Sequence, residues 1–233
     1  MTLDNGRESE TSVAEEKPKL TITRAIGVTC DSIIVQIVRF LSFTRISPNA
    51  LTAIGLGINV YAAWLLSKGN FWGGGWVIVG ASIFDMVDGR VARSTNQVTR
   101  FGGFFDSVLD RYSDLLLLMG LLVYYGSINR PLYVILTAVA MTASVMISYT
   151  RARAENIIPK CKVGFMERPE RMVLMMIGTV LDRMAPVLWI LAVMGNFTVI
   201  HRMLYTYQQA KQLEDAQLRS VRTMPDPDAA RIR

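Results

Sequence analysis

Long, nearly uncharged runs alternate with short polar stretches along this chain, at Ala50–Ser67, Phe71–Phe84, Leu115–Tyr125, Leu132–Tyr149, Met172–Leu181 and Val187–Ile200. A bilayer span needs about 20 mostly apolar residues, so the shorter runs reach that length only if their polar flanks continue the helix. The pattern predicts an all-α integral membrane protein with six transmembrane helices. Gly73-Gly74-Gly75 fits a loose helix start better than a strand of a soluble core. Ahead of the first run, Ile33, Ile34, Ile37, Val38 and Leu41 recur at helical spacing with Arg39 and Arg45 nearby. That predicts an amphipathic interfacial helix over 29–46, preceding the six spans. Ser47-Pro48-Asn49 then breaks the chain before the first span, since proline suits a helix start.

The ends carry a different pattern. Residues 1–28 begin with a polar stretch holding Glu8, Glu10, Glu15 and Glu16 and no apolar run, which predicts a disordered cytoplasmic tail and no signal peptide. Residues 211–233 are charged and contain Pro225-Asp226-Pro227-Asp228, so disorder is the expectation there too. The six-helix domain is thus expected over 47–210, with no internal repeat.

Composition agrees, with 51% hydrophobic residues and a mean hydropathy of +0.30. The placement of the basic residues adds a direction. The proposed outer turns hold only Lys68, Arg130 and Arg183, and the other 22 of the 25 Lys and Arg fall in four regions that lie on one side if there are six spans. The positive-inside rule puts that side, with both termini, in the cytoplasm of a multi-pass protein of the inner cell membrane. The net charge of +6 is then topology and attraction to anionic lipid rather than a nucleic-acid footprint. Cys30 and Cys161 have no CxxC spacing, which argues against a disulfide or a zinc site, and the single histidine, His201, cannot build a multi-histidine metal centre.

One stretch does not suit a greasy chain. Phe84 to Asp114 holds five aspartates and four arginines between two apolar runs. Each Asp at the centre of a span would cost roughly 2.5–3.5 kcal/mol, less near the cytoplasmic end. Asp85 and Asp88 are three apart and Asp106 and Asp110 four apart, so on helices each pair shares one face. If the second span runs on through Asp88 and the third begins near Gly102, two helix ends present four carboxylates to one cavity, and divalent cations would offset both burial and mutual repulsion. Oxygen donors without His or Cys suit Mg²⁺ or Mn²⁺, and a pair of carboxylates on each helix could hold two ions around a phosphoryl transfer. A solvated loop of salt-bridged charges would account for Arg90, Arg100 and Arg111. It leaves unexplained why the acids recur beside Gly89, Ala92, Gly102 and Gly103, which make room for a ligand or a close backbone.

Asp85-x2-Asp88-Gly89-x2-Ala92-Arg93-x8-Gly102-x3-Asp106-x3-Asp110 resembles the signature of the CDP-alcohol phosphotransferases at all its fixed positions. The six-span pattern, the preceding interfacial helix and "SPNALT" at the first span extend the likeness over roughly residues 30–210. The resemblance implies a membrane enzyme, commonly a homodimer, that displaces CMP from a CDP-linked donor using an alcohol. It implies that Asp85, Asp88, Asp106 and Asp110 hold metal and that Asp110 is also the general base. Gly89, Arg93 and Gly102 are carried over to the CDP pocket, with Asn49 and Thr52.

The acceptor is suggested by a second stretch, Ser148–Met172, "SYTRARAENIIPKCKVGFMERPERM". Its arginines, Arg151, Arg153, Arg168 and Arg171, fall where two spans meet the cytoplasm, and arginine fixed near a metal site can grip a phosphate bidentately. Glu167 and Glu170 at the next helix start suit dipole caps. The stretch is similar to the prokaryotic inositol-phosphate branch of the family, although Arg151 stands where relatives often have lysine. That branch implies a basic pocket of Arg151, Arg153 and Arg202, a CDP-diacylglycerol donor and an inositol phosphate acceptor. The same chemistry with glycerol 3-phosphate or another polyol phosphate is the alternative, serine fits the arginines less well, and the non-enzyme alternative is a small cation channel or transporter. Asp114, one turn beyond the signature, is expected to partner a nearby arginine.

Overall fold

In a computed structural model the chain is described over residues 47–94, 99–161 and 163–223, with the side chains of 48, 87–94, 217 and 219–223 outside that description. The interfacial helix expected over 29–46, and the tail before it, lie outside the described residues. Six helices make up the described part: α1 Pro48–Ser67, α2 Phe71–Ser94, α3 Arg100–Ser127, α4 Pro131–Ala154, α5 Arg168–Val180 and α6 Met184–Thr223.

Their starts follow from local chemistry. Ser47 caps α1, its hydroxyl accepting from the Ala50 amide at 3.3 Å, with Pro48 in the first turn. Asn70 accepts from the Gly73 amide at 3.0 Å, so the glycine triplet lies inside the first turns of α2. Thr99 caps α3 through the Gly102 amide at 2.9 Å. Each cap satisfies an amide that the helix itself leaves unpaired.

The helices close into a ring. α1 packs on α2 and α3, α3 on α4, α4 on α6, α6 on α5, and α5 back on α2. Leu66, Ile78, Leu117, Leu121, Ala140, Met172 and Leu188 supply every helix's share of one buried core. Glycines set the closest approaches: a Cβ on Gly120 of α3 would lie 2.3 Å from the Ala63 carbonyl oxygen of α1, and one on Gly75 of α2 would lie 2.8 Å from Thr179 Oγ1 of α5. The outer surface is apolar, with Trp64, Trp72, Trp76, Ile135 and Phe197 all more than half exposed. An apolar exterior of this extent marks a lipid-facing protein.

By length and composition, three helices among the described residues can cross a membrane, over Asn49–Ser67, Pro131–Ala154 and Met184–Ala216. α2 and α3 are long enough, at 24 and 28 residues, but their charged ends lower their hydropathy. α5 has 13 residues, roughly 20 Å of helix against a hydrocarbon core of about 30 Å. One expectation is corrected. Residues 211–223 are not an unstructured tail but the continuation of α6, a helix of 40 residues. Ala, Gln, Lys, Leu, Glu and Arg supply nine of its thirteen residues, and good helix formers extend an existing helix without a new nucleation cost.

Candidate active site

Asp85 and Asp88 lie on the C-terminal half of α2, which runs past the apolar stretch to Ser94, and Asp106 and Asp110 lie one turn apart on the first half of α3. The side chains of Asp88 and Arg93 are outside the described residues. Asp85 and Asp110 are each 18% exposed at the side chain, partly removed from water.

A third helix meets them. Arg168 opens α5 and reaches between the other two: its guanidinium is 2.7 Å from Asp85 Oδ2, 2.9 Å from Asp110 Oδ1 and, through Nε, 3.7 Å from Asp114 Oδ1. One turn on, Arg171 donates to Asp114 Oδ2 at 2.5 Å and to the Met166 carbonyl at 2.7 Å, and Ser144 of α4 donates to the same Asp114 oxygen at 3.2 Å. Asp114 is therefore the partner of nearby arginines. The acids Asp85, Asp106, Asp110 and Asp114 outnumber Arg168, Arg171 and Arg111, whose charge acts on Asp106, four to three. That imbalance leaves the cluster with residual demand for positive charge.

Among the described residues no three acidic, histidine or cysteine side chains converge closely enough to enclose a metal ion. Asp85, Asp110 and, at longer range, Asp114 converge on Arg168 instead. The donor chemistry fits a hard divalent ion, being all carboxylate oxygen. A monovalent cation already bridges Asp85 and Asp110 from separate helices. Room has been left for the arrangement as well: a Cβ on Gly55 of α1 would come within 2.9 Å of Asp85 Oδ1. Asp85, Asp106 and Asp110 are the described side chains that could hold such an ion.

Beside the acids, Asn49 of α1 and Gly102 of α3 come together, since a Cβ on Gly102 would lie 3.4 Å from Asn49 Oδ1. Thr52 is buried three residues further along α1. Gly89 follows Asp85 by one turn on α2.

Two cavities share Arg168 as a wall. A polar one of about 290 Å³ is lined by Arg111, Arg151, Glu155, Glu167, Arg168 and Arg202 among others. An apolar one of about 320 Å³ is lined by Ser82, Asp85, Met86, Met172, Val173 and Met176 with Arg168 and Pro169. Arg151 and Arg202 meet across Glu167, whose Oε1 accepts from Arg151 at 2.7 Å and from Arg202 at 3.2 Å. Arg153 is not brought to that cavity. It faces a separate one of about 260 Å³ with Tyr149, Ile157, Met203 and the other side of Arg202, because residues two apart on a helix point to different faces. Arg202 is 1% exposed and also donates to the carbonyls of Val163 at 2.8 Å and Ile147 at 2.6 Å. Arg168 and Arg171, expected among the arginines that could grip a phosphate, pair with aspartates instead. Their three-residue spacing at a helix start was a signal, but the partner carboxylates are 83 and 57 positions away.

Residues 45–207 match the family model described as CDP-alcohol phosphatidyltransferase. The archaetidylinositol phosphate synthase of Methanothermobacter thermautotrophicus is 34% identical over 167 residues, covering 69% of this chain and 83% of that protein. The crystal structure of Mycobacterium tuberculosis phosphatidylinositol phosphate synthase with CDP-DAG bound aligns with a TM-score of 0.71 at 30% identity, over 76% of this chain and 94% of that one. The same enzyme in complex with manganese and citrate aligns with a TM-score of 0.69 at 31% identity, over 75% of this chain and 88% of that one. With its acids on α2 and α3, a basic cavity beside them and these similarities over most of its length, the chain belongs to the CDP-alcohol phosphatidyltransferase family.

Proposed function

We propose that this protein transfers the phosphatidyl group of CDP-diacylglycerol to inositol phosphate, releasing CMP and giving phosphatidylinositol phosphate. What carries the reading is the seat of Arg168: a cation held by carboxylates of two helices, with a basic cavity on one side and an apolar one on the other. A water-soluble phosphorylated alcohol suits the first cavity and a lipid-linked donor the second. The names of the relatives favour inositol phosphate over glycerol 3-phosphate or another polyol phosphate. Family membership sets the channel or transporter alternative aside.

In this reading Asp85, Asp88, Asp106 and Asp110 hold two divalent ions, Mg²⁺ or Mn²⁺, which when bound neutralise the diphosphate and the charge on departing CMP. Asn49, Thr52, Gly89, Arg93 and Gly102 border the CDP moiety. Arg151 and Arg202 hold the acceptor's phosphate. Asp110 takes the proton of the acceptor hydroxyl as its oxygen bonds to the β-phosphorus and the bond from that phosphorus to the CMP oxygen breaks. The protein is read as a homodimer whose six helices all cross the inner membrane, with the site facing the cytoplasm. The short α5 is sheltered there by α2 and α6, which pack on it.

Purified protein in detergent with CDP-diacylglycerol, Mg²⁺ or Mn²⁺ and a panel of inositol phosphate, glycerol 3-phosphate, inositol and serine tests this directly. CMP release is expected with inositol phosphate above the others. Release with none of them would overturn the enzymatic reading, and preference for glycerol 3-phosphate would change the acceptor alone.

A further inference from the structure

Arg168 is bound where the reaction needs a different cation. Its Nη2 lies 2.7 Å from Asp85 Oδ2 and its Nη1 2.9 Å from Asp110 Oδ1. The side chain is 26% exposed, and Nε is buried without a hydrogen-bond partner. A divalent ion on the same carboxylates coordinates their oxygens at about 2.0–2.1 Å. An oxygen that close to a metal cannot also keep a guanidinium on a normal hydrogen bond along the same direction, and two cations at such separation repel. The carboxylate–arginine bridge and a loaded metal site therefore compete for the same oxygens.

Resting on the metal site proposed above, we propose that Arg168 is a built-in counter-cation that holds Asp85 and Asp110 together until divalent metal displaces it. Three features support this. The bridge joins α2, α3 and α5, so it keeps three mutually repelling carboxylates packed when no metal is present. Arg171, the other basic residue on this face of α5, is committed to Asp114 and Met166 and so cannot take over. Arg168 also lines the polar cavity of Arg151 and Arg202. Its release by metal leaves a free guanidinium beside that cavity and makes it more attractive to a phosphate. Metal loading thus precedes tight binding of the phosphorylated acceptor.

The test is Mn²⁺ binding by full-length protein in detergent without substrates, read from the electron paramagnetic resonance signal of free Mn²⁺. Removing the competing charge in Arg168→Gln should tighten Mn²⁺ binding about tenfold, the equivalent of 1.4 kcal/mol. Arg168→Lys keeps the charge and should stay nearer to wild type. Unchanged or weaker binding by Arg168→Gln, or equal tightening by Arg168→Lys, would overturn the inference. If Arg168→Gln does not fold, wild-type protein still decides. Modification of Arg168 by phenylglyoxal, followed by peptide mass spectrometry, should speed up on adding Mn²⁺ while Arg171 stays protected. An Arg168 rate that Mn²⁺ leaves unchanged or lowers would overturn it. Failure of every form to bind Mn²⁺, with no CMP release, would overturn the enzymatic reading as well. Equal binding by all forms with CMP release intact in the wild type would overturn the counter-cation alone.

Discussion

Arg171 and Asp114 form an ion pair at 2.5 Å with side chains only 9% and 5% exposed. Breaking such a buried pair by removing one partner costs about 3–5 kcal/mol, because the other charge is left without compensation. The two ends are not equivalent. Losing Arg171 leaves Asp114 with Ser144 and Arg168, whereas losing Asp114 strips Arg171 of its one carboxylate among the described residues and Arg168 of one of three. Asp114→Ala is therefore expected to lower the thermal unfolding temperature in detergent more than Arg171→Met. Equal losses would mean that Arg168 and Ser144 contribute nothing to holding Asp114.

Gly120 sets the approach of α3 to α1, and an added methyl there would overlap the Ala63 carbonyl oxygen at 2.3 Å. Backbone cannot step aside as a flexible side chain can, so the helices must separate. Overpacking of this kind costs typically 1–3 kcal/mol. Gly57 of α1 and Gly126 of α3 have nothing within 4 Å of the same position. There alanine should be neutral, or stabilising by up to about 1 kcal/mol, since glycine is the poorer helix former. Unfolding temperatures of the three alanine variants check the contrast.

The acids on α2 and α3 were legible because helical spacing alone puts Asp85 with Asp88, and Asp106 with Asp110, on shared faces. The break at Ser47-Pro48-Asn49 before α1 was equally local. Arg168 was not legible, because its role depends on α5 packing against α2 near Gly75 and Thr179, a contact between residues about a hundred positions apart. Arg153 could have been separated from Arg151 beforehand, since two residues apart on a helix means different faces. The extension of α6 through Thr223 was masked by charge, which signals solvent exposure but does not by itself stop a helix.

Arg151 and Arg202 should separate acceptor binding from stability. Arg151 is 37% exposed at the side chain and, among the described residues, pairs with Glu155 and Glu167, and pairs at that exposure are worth about 0–1 kcal/mol. Arg151→Ala should leave the unfolding temperature nearly unchanged. It should raise KM for inositol phosphate roughly 10- to 100-fold, the loss of a charge-assisted hydrogen bond, with KM for CDP-diacylglycerol little altered. Arg202→Ala takes a donor from the Val163 carbonyl in a site 1% exposed, at about 1–3 kcal/mol for an unsatisfied group, while the Ile147 carbonyl keeps the Thr150 hydroxyl. That variant should unfold earlier as well as bind the acceptor poorly. Equal effects of Arg151→Ala on both substrates would remove it from the acceptor site.

Metal and base functions of the acids should also come apart. Chelation is expected to abolish CMP release, and Mn²⁺ or Mg²⁺ to restore it. Asp106→Asn removes a carboxylate ligand but leaves Asp110, so excess Mn²⁺ should recover much of its activity. Asp110→Asn removes the proposed proton acceptor too, and a general base contributes typically 10²–10⁴-fold to rate. Saturating Mn²⁺ should therefore leave Asp110→Asn at least about a hundredfold slower than wild type. Full recovery at high Mn²⁺ would reduce Asp110 to a ligand and assign the proton to another group on the acceptor side of the site.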